Sequence, residues 1–79
     1  MDAQNLVRSA NKIGDFFVAM PDRTEALAGI ANHIAKFWAP RMRTQFLAHI
    51  DSQSESGLSP IVGEAVNKHR ASLEPNANA

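Results

Sequence analysis

Four prolines divide this chain into segments, and they constrain its fold more than any other feature. They stand at positions 21, 40, 60 and 75. The residue before a proline disfavours the α region, and proline itself suits the first position of a helix. We therefore expect helices to end near Met20 and Ala39 and new ones to begin at Pro40 and Pro60. The Ala39-Pro40 junction is so short that it predicts a corner between two helices.

Apolar residues recur at helical spacing within each segment. In the first segment they are Leu6, Ala10, Ile13, Phe17 and Met20, at intervals of four, three, four and three residues. The predicted helices cover about residues 3–19, 23–38, 40–51 and 60–72. No alternating run of β-branched or aromatic residues indicates a strand. The sequence thus predicts an all-α fold, a small bundle of three to four short helices.

Helix caps and the end of the chain complete this prediction. Asp2, Asp22 and Ser59 are suited to N-cap positions, and Asp22 with Glu25 has the spacing of a capping box. Residues 74–79 contain nothing to bury. We predict a single helical domain over residues 1–73 and a flexible, disordered tail over residues 74–79.

The chain's size and charge limit the classes of function. With 79 residues, it should bury only about 60–65% of its unfolded surface, and docking on a partner would add stability. Eight basic and eight acidic residues give no net charge, which disfavours a nucleic-acid binder. The longest apolar run, residues 16–20, is shorter than a membrane span or a signal-peptide core. We expect a cytoplasmic protein that does not span a membrane.

No motif indicates catalysis, cofactor binding or a metal site. The chain has no cysteine, so disulfides, thiolate ligands and cysteine nucleophiles are excluded. His33, His49 and His69 have no partner at metal-ligand spacing, whereas zinc needs three or four converging ligands. Neither a nucleophile elbow nor a phosphate-binding glycine loop occurs. We expect no catalytic, cofactor-binding or metal-binding residues.

Two glycines stand inside predicted helices, where each costs about 1 kcal/mol relative to alanine. They are Gly14 and Gly29. The close approach of another helix or of a partner would explain them, and so would simple tolerance of a weak position.

Charge is unevenly distributed along the chain. Residues 26–50 contain Lys36, Arg41 and Arg43 and no acid, a net charge of +3. Arg41 and Arg43 fall in the first turn of a predicted helix and Asp51 at its end, against the helix dipole by a few tenths of a kcal/mol. Such local conflicts are expected at functional contacts. Two interpretations stay open: solvated surface charges, or arginines that bind a carboxylate or phosphate of a partner.

Two pairs of adjacent aromatic residues also need an explanation. They are Phe16–Phe17 and Phe37–Trp38. Neighbours on a helix point about 100° apart, so one narrow stripe cannot bury both members of a pair. Either all of them complete a minimal core, or some remain exposed in a docking patch, for which Trp and Arg are typical residues. The predicted partner-binding residues are Phe16, His33, Phe37, Trp38, Arg41 and Arg43.

Several stretches of this sequence occur together in one known family. They are LVRSANKI at 6–13, FF at 16–17, MPDR at 20–23, IANHI at 30–34 and FWAPRMR at 37–43. In this order, over roughly residues 5–66, they resemble the small delta subunit of NAD-linked formate dehydrogenase. The family pattern often has an acid between the Trp and the Pro, where this chain has Ala39.

The resemblance implies an accessory subunit of a cytoplasmic enzyme that oxidises formate and reduces NAD. It also implies that the cofactors lie on other subunits: a bis-molybdopterin guanine dinucleotide (bis-MGD) centre with molybdenum or tungsten, iron–sulfur clusters and FMN. The expected partner is the catalytic (alpha) subunit and, through it, the beta and gamma subunits. This chain would stabilise the catalytic subunit or assist its cofactor maturation, docking through the corner between the second and third helices.

Two other classes of function remain as alternatives. A free-standing helical adaptor or homodimer with an unrelated protein client predicts self-association through the Phe16–Phe17 face. A small nucleic-acid binder predicts salt-dependent retention on DNA.

Overall fold

The computed structural model describes residues 2–53 and 56–75. It contains five helices: α1 (Ala3–Phe17), α2 (Arg23–Phe37), α3 (Pro40–Ser52), α4 (Pro60–Lys68) and α5 (Arg70–Leu73). Within these ranges there is no strand, so the predicted all-α class is confirmed. No helix there has the length and apolar character that a membrane crossing requires. Of the predicted tail, residues 76–79 lie outside the described residues.

The corner between α2 and α3 forms as predicted. Trp38 and Ala39 are both extended, with φ/ψ of −93°/135° and −62°/151°. Two extended residues turn the chain direction before Pro40 begins α3, because a residue that precedes proline avoids the α region.

Two helix boundaries differ from the prediction by more than one residue. Helix α1 ends at Phe17, because the Val18 N–H closes its last turn on Gly14 O and the Met20 N–H bonds to Phe17 O. The predicted helix over residues 60–72 is two helices, since His69 (φ −115°, ψ 27°) interrupts it. The short α5 that follows packs against α2 and buries Leu73 completely.

Aspartate side chains cap the N-termini of α1 and α2, whereas the serine before α4 forms no capping bond. The Asp2 carboxylate accepts from the Gln4 N–H, and the Asp22 carboxylate accepts from two N–H groups of the first turn of α2. Ser59 stands at the N-cap of α4 but makes no side-chain capping bond. Its hydroxyl is buried without a partner, so the predicted N-cap position is confirmed although the side chain does not cap the helix.

The core lies around α2, which packs against α1, α4 and α5, while α3 packs against α1. In the described part of the chain every buried side chain is apolar. The largest fully buried ones are Phe46, Leu6, Ile30, Ile34, Leu73, Val62 and Val66.

Both glycines within α1 and α2 lie where another helix comes close. A Cβ at Gly14 would stand 2.5 Å from Val62 Cγ2, and one at Gly29 would stand 2.5 Å from Phe17 Cε1. Real Cβ atoms do not come that close to other atoms. The interpretation of these glycines as points of close helix approach is confirmed.

Candidate functional site

In each pair of adjacent aromatic residues, one side chain is exposed and the other is partly or fully buried. Phe16 is 75% exposed and Phe37 is 72% exposed. Phe17 is half-buried, and Trp38 is only 8% exposed. The sequence argument that one stripe cannot bury both members of a pair is therefore confirmed.

Trp38 lies in the core rather than on the docking patch predicted for it. Its ring packs edge-on against Phe46, with the centroids 5.2 Å apart. The extended backbone at Trp38 turns this side chain inward while Phe37, the last residue of α2, stays outside. The indole therefore shapes the corner between α2 and α3 but offers almost no surface to a partner.

The two exposed aromatics belong to one continuous surface, because His33 lies between them. The His33 and Phe37 rings are 4.8 Å apart, one helical turn from each other on α2. His33 also lines a groove between α1 and α2 with a volume of about 320 Å³. We call this region the aromatic surface; it consists of Lys12, Ile13, Phe16, Phe17, His33 and Phe37.

Contacts between α1 and α2 fix the shape of the aromatic surface. The Phe16 ring meets the Phe17 ring edge-on, with centroids 5.1 Å apart. Phe17 in turn lies directly on Gly29, which precedes His33 by one turn of α2. A larger residue at position 29 would displace the Phe17 ring, so the absence of a side chain there fixes the position of one wall of the groove.

The structure thus joins three predicted partner-binding residues, Phe16, His33 and Phe37. The sequence interpretation missed Lys12, Ile13 and Phe17 as members of the same surface. Helical spacing could have predicted these members, since Lys12 and Phe16, and likewise Ile13 and Phe17, are four residues apart and therefore adjacent on α1.

Arg41 and Arg43 lie at the start of α3, the former exposed and the latter half-buried. Within residues 2–53 and 56–75 neither forms an ion pair, and Arg43 Nε is buried without a partner. Their proposed role in partner binding stays a prediction.

Asp51 has a structural explanation that sequence reasoning did not find. Its two oxygens accept hydrogen bonds from Arg70 at 2.9 and 2.6 Å. These hydrogen bonds lower the pKa of the Asp51 carboxyl and, together with the one to Glu74, raise the pKa of Arg70. The unfavourable position at the end of α3 is therefore offset by a tie to α5.

A second cleft has a volume of about 450 Å³ and lies between the end of α3, the loop before α4 and α4 itself. In the part of the chain that the structure describes, the side chains that line it are apolar, amide or hydroxyl, without an ionisable group. Among the described residues there is also no group of three or more His, Cys, Asp or Glu that could hold a metal ion.

Comparison with known protein families finds one that matches most of this sequence. The model of the family described as NADH-dependent formate dehydrogenase delta subunit FdsD matches residues 5–66. The match includes the whole aromatic surface and the corner between α2 and α3. No curated protein and no solved structure matches this chain significantly.

Proposed function

This chain belongs to the FdsD family of NADH-dependent formate dehydrogenase delta subunits, and we propose that it is a non-catalytic accessory subunit of that complex. It binds the molybdopterin-containing catalytic subunit and either stabilises it or assists its cofactor maturation. Through the catalytic subunit it is associated with the beta and gamma subunits, in the cytoplasm.

The exposure of Phe16 and Phe37 is the observation that supports this proposal. Both rings are about three-quarters exposed, and His33 joins them into one surface. Burying a phenylalanine side chain contributes about 1.5–3 kcal/mol relative to leaving it in water. A partner that covers both rings recovers that free energy, which a free monomer of this size does not.

The proposal assigns the redox chemistry to other subunits. Those subunits carry the bis-MGD molybdenum or tungsten centre, the iron–sulfur clusters and the FMN, and they oxidise formate to carbon dioxide while reducing NAD. Among the residues that the structure describes, neither cleft combines a base, an acid and a nucleophile. Its contribution is binding energy.

Linkage explains how such a subunit acts. A chain that binds only the folded, cofactor-loaded partner stabilises it by RT ln(1 + [L]/Kd), about 2.7 kcal/mol at a hundredfold excess over Kd. A chain that binds the cofactor-free partner better would instead hold that form ready for loading. The affinity of this chain for the cofactor-loaded and the cofactor-free catalytic subunit separates the two: the loaded form binds more tightly in the first case and the cofactor-free form in the second.

An affinity purification from the native host tests the proposal. The tagged chain is recovered from cells grown with formate, and the bound proteins are identified by mass spectrometry. We expect the molybdopterin-type catalytic subunit in near-stoichiometric amount. The double variant Phe16→Ala/Phe37→Ala should lose it, whereas Val18→Ala should retain it, because Val18 is also exposed but does not line the groove.

Absence of every formate dehydrogenase subunit, with the enzyme expressed and the tag accessible, would contradict the proposal. A concentration-dependent dimer of the purified chain under those conditions would favour the alternative, a free-standing helical adaptor or homodimer.

Charge reversal at Arg41 and Arg43 tests whether these arginines take part in partner binding. If they do, the affinity for the partner should fall by more than any loss of folding stability explains.

A further inference from the structure

The aromatic surface is bordered by cations that have no partner within the described chain. Lys12 on α1 lines the groove directly. Lys36 on α2 is exposed and follows His33 by three residues, so the two are neighbours on the helix surface. The ion pairs of the described residues involve Arg23 and Arg70 instead.

Among the described residues, acids balance this charge only in part, since Asp15, three residues after Lys12, is the one carboxylate of α1. Helices α1 and α2 contain one acid each, Asp15 and Glu25, and neither lines the groove. Asp15 is exposed and makes no ion pair with Lys12. The aromatic surface is therefore an apolar centre with a positively charged border.

We propose that the aromatic surface receives a segment of the catalytic subunit in which an apolar side chain is flanked by Asp or Glu. The apolar side chain fills the groove between Phe16 and His33, and the carboxylates meet Lys12 and Lys36. This inference rests on the proposed function and adds the chemistry of the partner's surface. Complementary charge of this kind sets the orientation of a complex and excludes wrong partners.

Charge also argues against a second copy of this chain as the occupant. In a two-fold symmetric contact the same patch of each copy meets its equivalent. Lys12 and Lys36 of one copy would then face those of the other, and like charges in an interface are unfavourable. A heterologous partner with carboxylates removes that repulsion.

The test measures the affinity of the purified chain for formate dehydrogenase assembled without it. Lys12→Glu and Lys36→Glu should each raise Kd about fivefold or more, because an attraction becomes a repulsion. Lys68→Glu is the matched control: Lys68 is an exposed lysine at the end of α4, away from the groove, and its variant should bind as the wild type does. Phe16→Ala should raise Kd about thirtyfold, the effect of removing a central anchor.

The salt dependence of the binding affinity tests the same contacts independently. The affinity of the wild type should fall as the salt concentration rises, and that dependence should be smaller for Lys12→Glu and Lys36→Glu. Far-UV circular dichroism checks that all variants are folded.

Each contrary outcome identifies what has failed. If the wild type binds but Lys12→Glu and Lys36→Glu behave as Lys68→Glu does, the acidic-segment inference is wrong while the accessory role stands. If the wild type binds neither the assembled enzyme nor its cofactor-free catalytic subunit, both are wrong. A dimer in sedimentation velocity that Phe16→Ala abolishes would show a second copy as the occupant and overturn the inference.

Discussion

Gly14 in α1 lies so close to Val62 in α4 that a Cβ at position 14 would stand 2.5 Å from Val62 Cγ2. Val62 is fully buried and has no room to move aside. The contact lets the two helices approach at a point where no other residue fits, which accounts for a glycine in the middle of α1.

Gly14→Ala should therefore destabilise the fold, by up to about 2 kcal/mol. Overpacking costs about 1–3 kcal/mol, and the gain of about 1 kcal/mol in helix propensity offsets only part of it. Gly63→Ala is the matched control, because Gly63 also lies within a helix but has nothing within 4 Å of an added Cβ. It should stabilise the chain by roughly 0.5–1 kcal/mol. Urea unfolding measures both; a stable Gly14→Ala variant would contradict the close approach.

Trp38 and Phe37 should differ sharply when truncated, although they are adjacent. Trp38→Ala removes a core ring that packs on Phe46 and should cost about 3–5 kcal/mol, and Trp38→Phe should cost less. Phe37→Ala removes a ring that is 72% exposed and should change the free energy of unfolding by no more than about 0.5 kcal/mol. Equal losses in guanidinium unfolding, followed by circular dichroism, would place Phe37 in the core.

Asn11 ties the loop before α4 to α1. Its amide nitrogen donates to Gly57 O at 3.0 Å, and its amide oxygen accepts from the Ser59 N–H at 2.9 Å. Asn11→Ala leaves the part-buried Ser59 N–H without a partner and should cost about 1–3 kcal/mol. Hydrogen exchange should show faster exchange at Ser59. Asn32→Ala, at an exposed asparagine of α2, should leave both stability and that exchange rate unchanged.

The tie between Asp51 and Arg70 predicts a dependence of stability on pH. The hydrogen bond from Arg70 lowers the pKa of Asp51 below its ordinary value of 3.8, so the folded state binds this proton less readily than the unfolded state. The stabilisation is therefore complete above the ordinary pKa and is lost as pH falls through the lowered one.

The variant Asp51→Asn provides the check. It should melt at a slightly lower temperature than the wild type near pH ~7, with a small difference because the pair is exposed. The difference should shrink as the pH falls below the ordinary pKa of a carboxyl group, about 4. A difference that is constant with pH would mean that the carboxylate charge plays no part.

Local chemistry along the chain was sufficient to predict the helices. Proline geometry placed the starts at Pro40 and Pro60 and the corner at the Ala39-Pro40 junction, and Asp2 and Asp22 marked two N-termini. These effects act within about four residues, the span of one helical hydrogen bond. The same local rules missed the break at His69, because burial of Leu73 against α2 is not a local effect.

Resemblance to the delta subunit family also followed from the sequence, since it depends on the order of short motifs over residues 5–66. Composition and the lack of cysteine limited the chemistry, and the adjacent aromatics indicated that some large side chain had to stay outside.

Only the tertiary structure decided which of the large aromatic side chains lie outside the core. It placed Trp38 inside and Phe37 outside, connected Phe37 to Phe16 through His33, and paired Asp51 with Arg70. Apart from the contact of His33 with Phe37 within α2, these contacts join distant parts of the chain, as do the hydrogen bonds of Asn11 with residues 46 and 48 positions further along it. No rule of helical spacing reaches that far, because the relative placement of helices is set by how their side chains pack together.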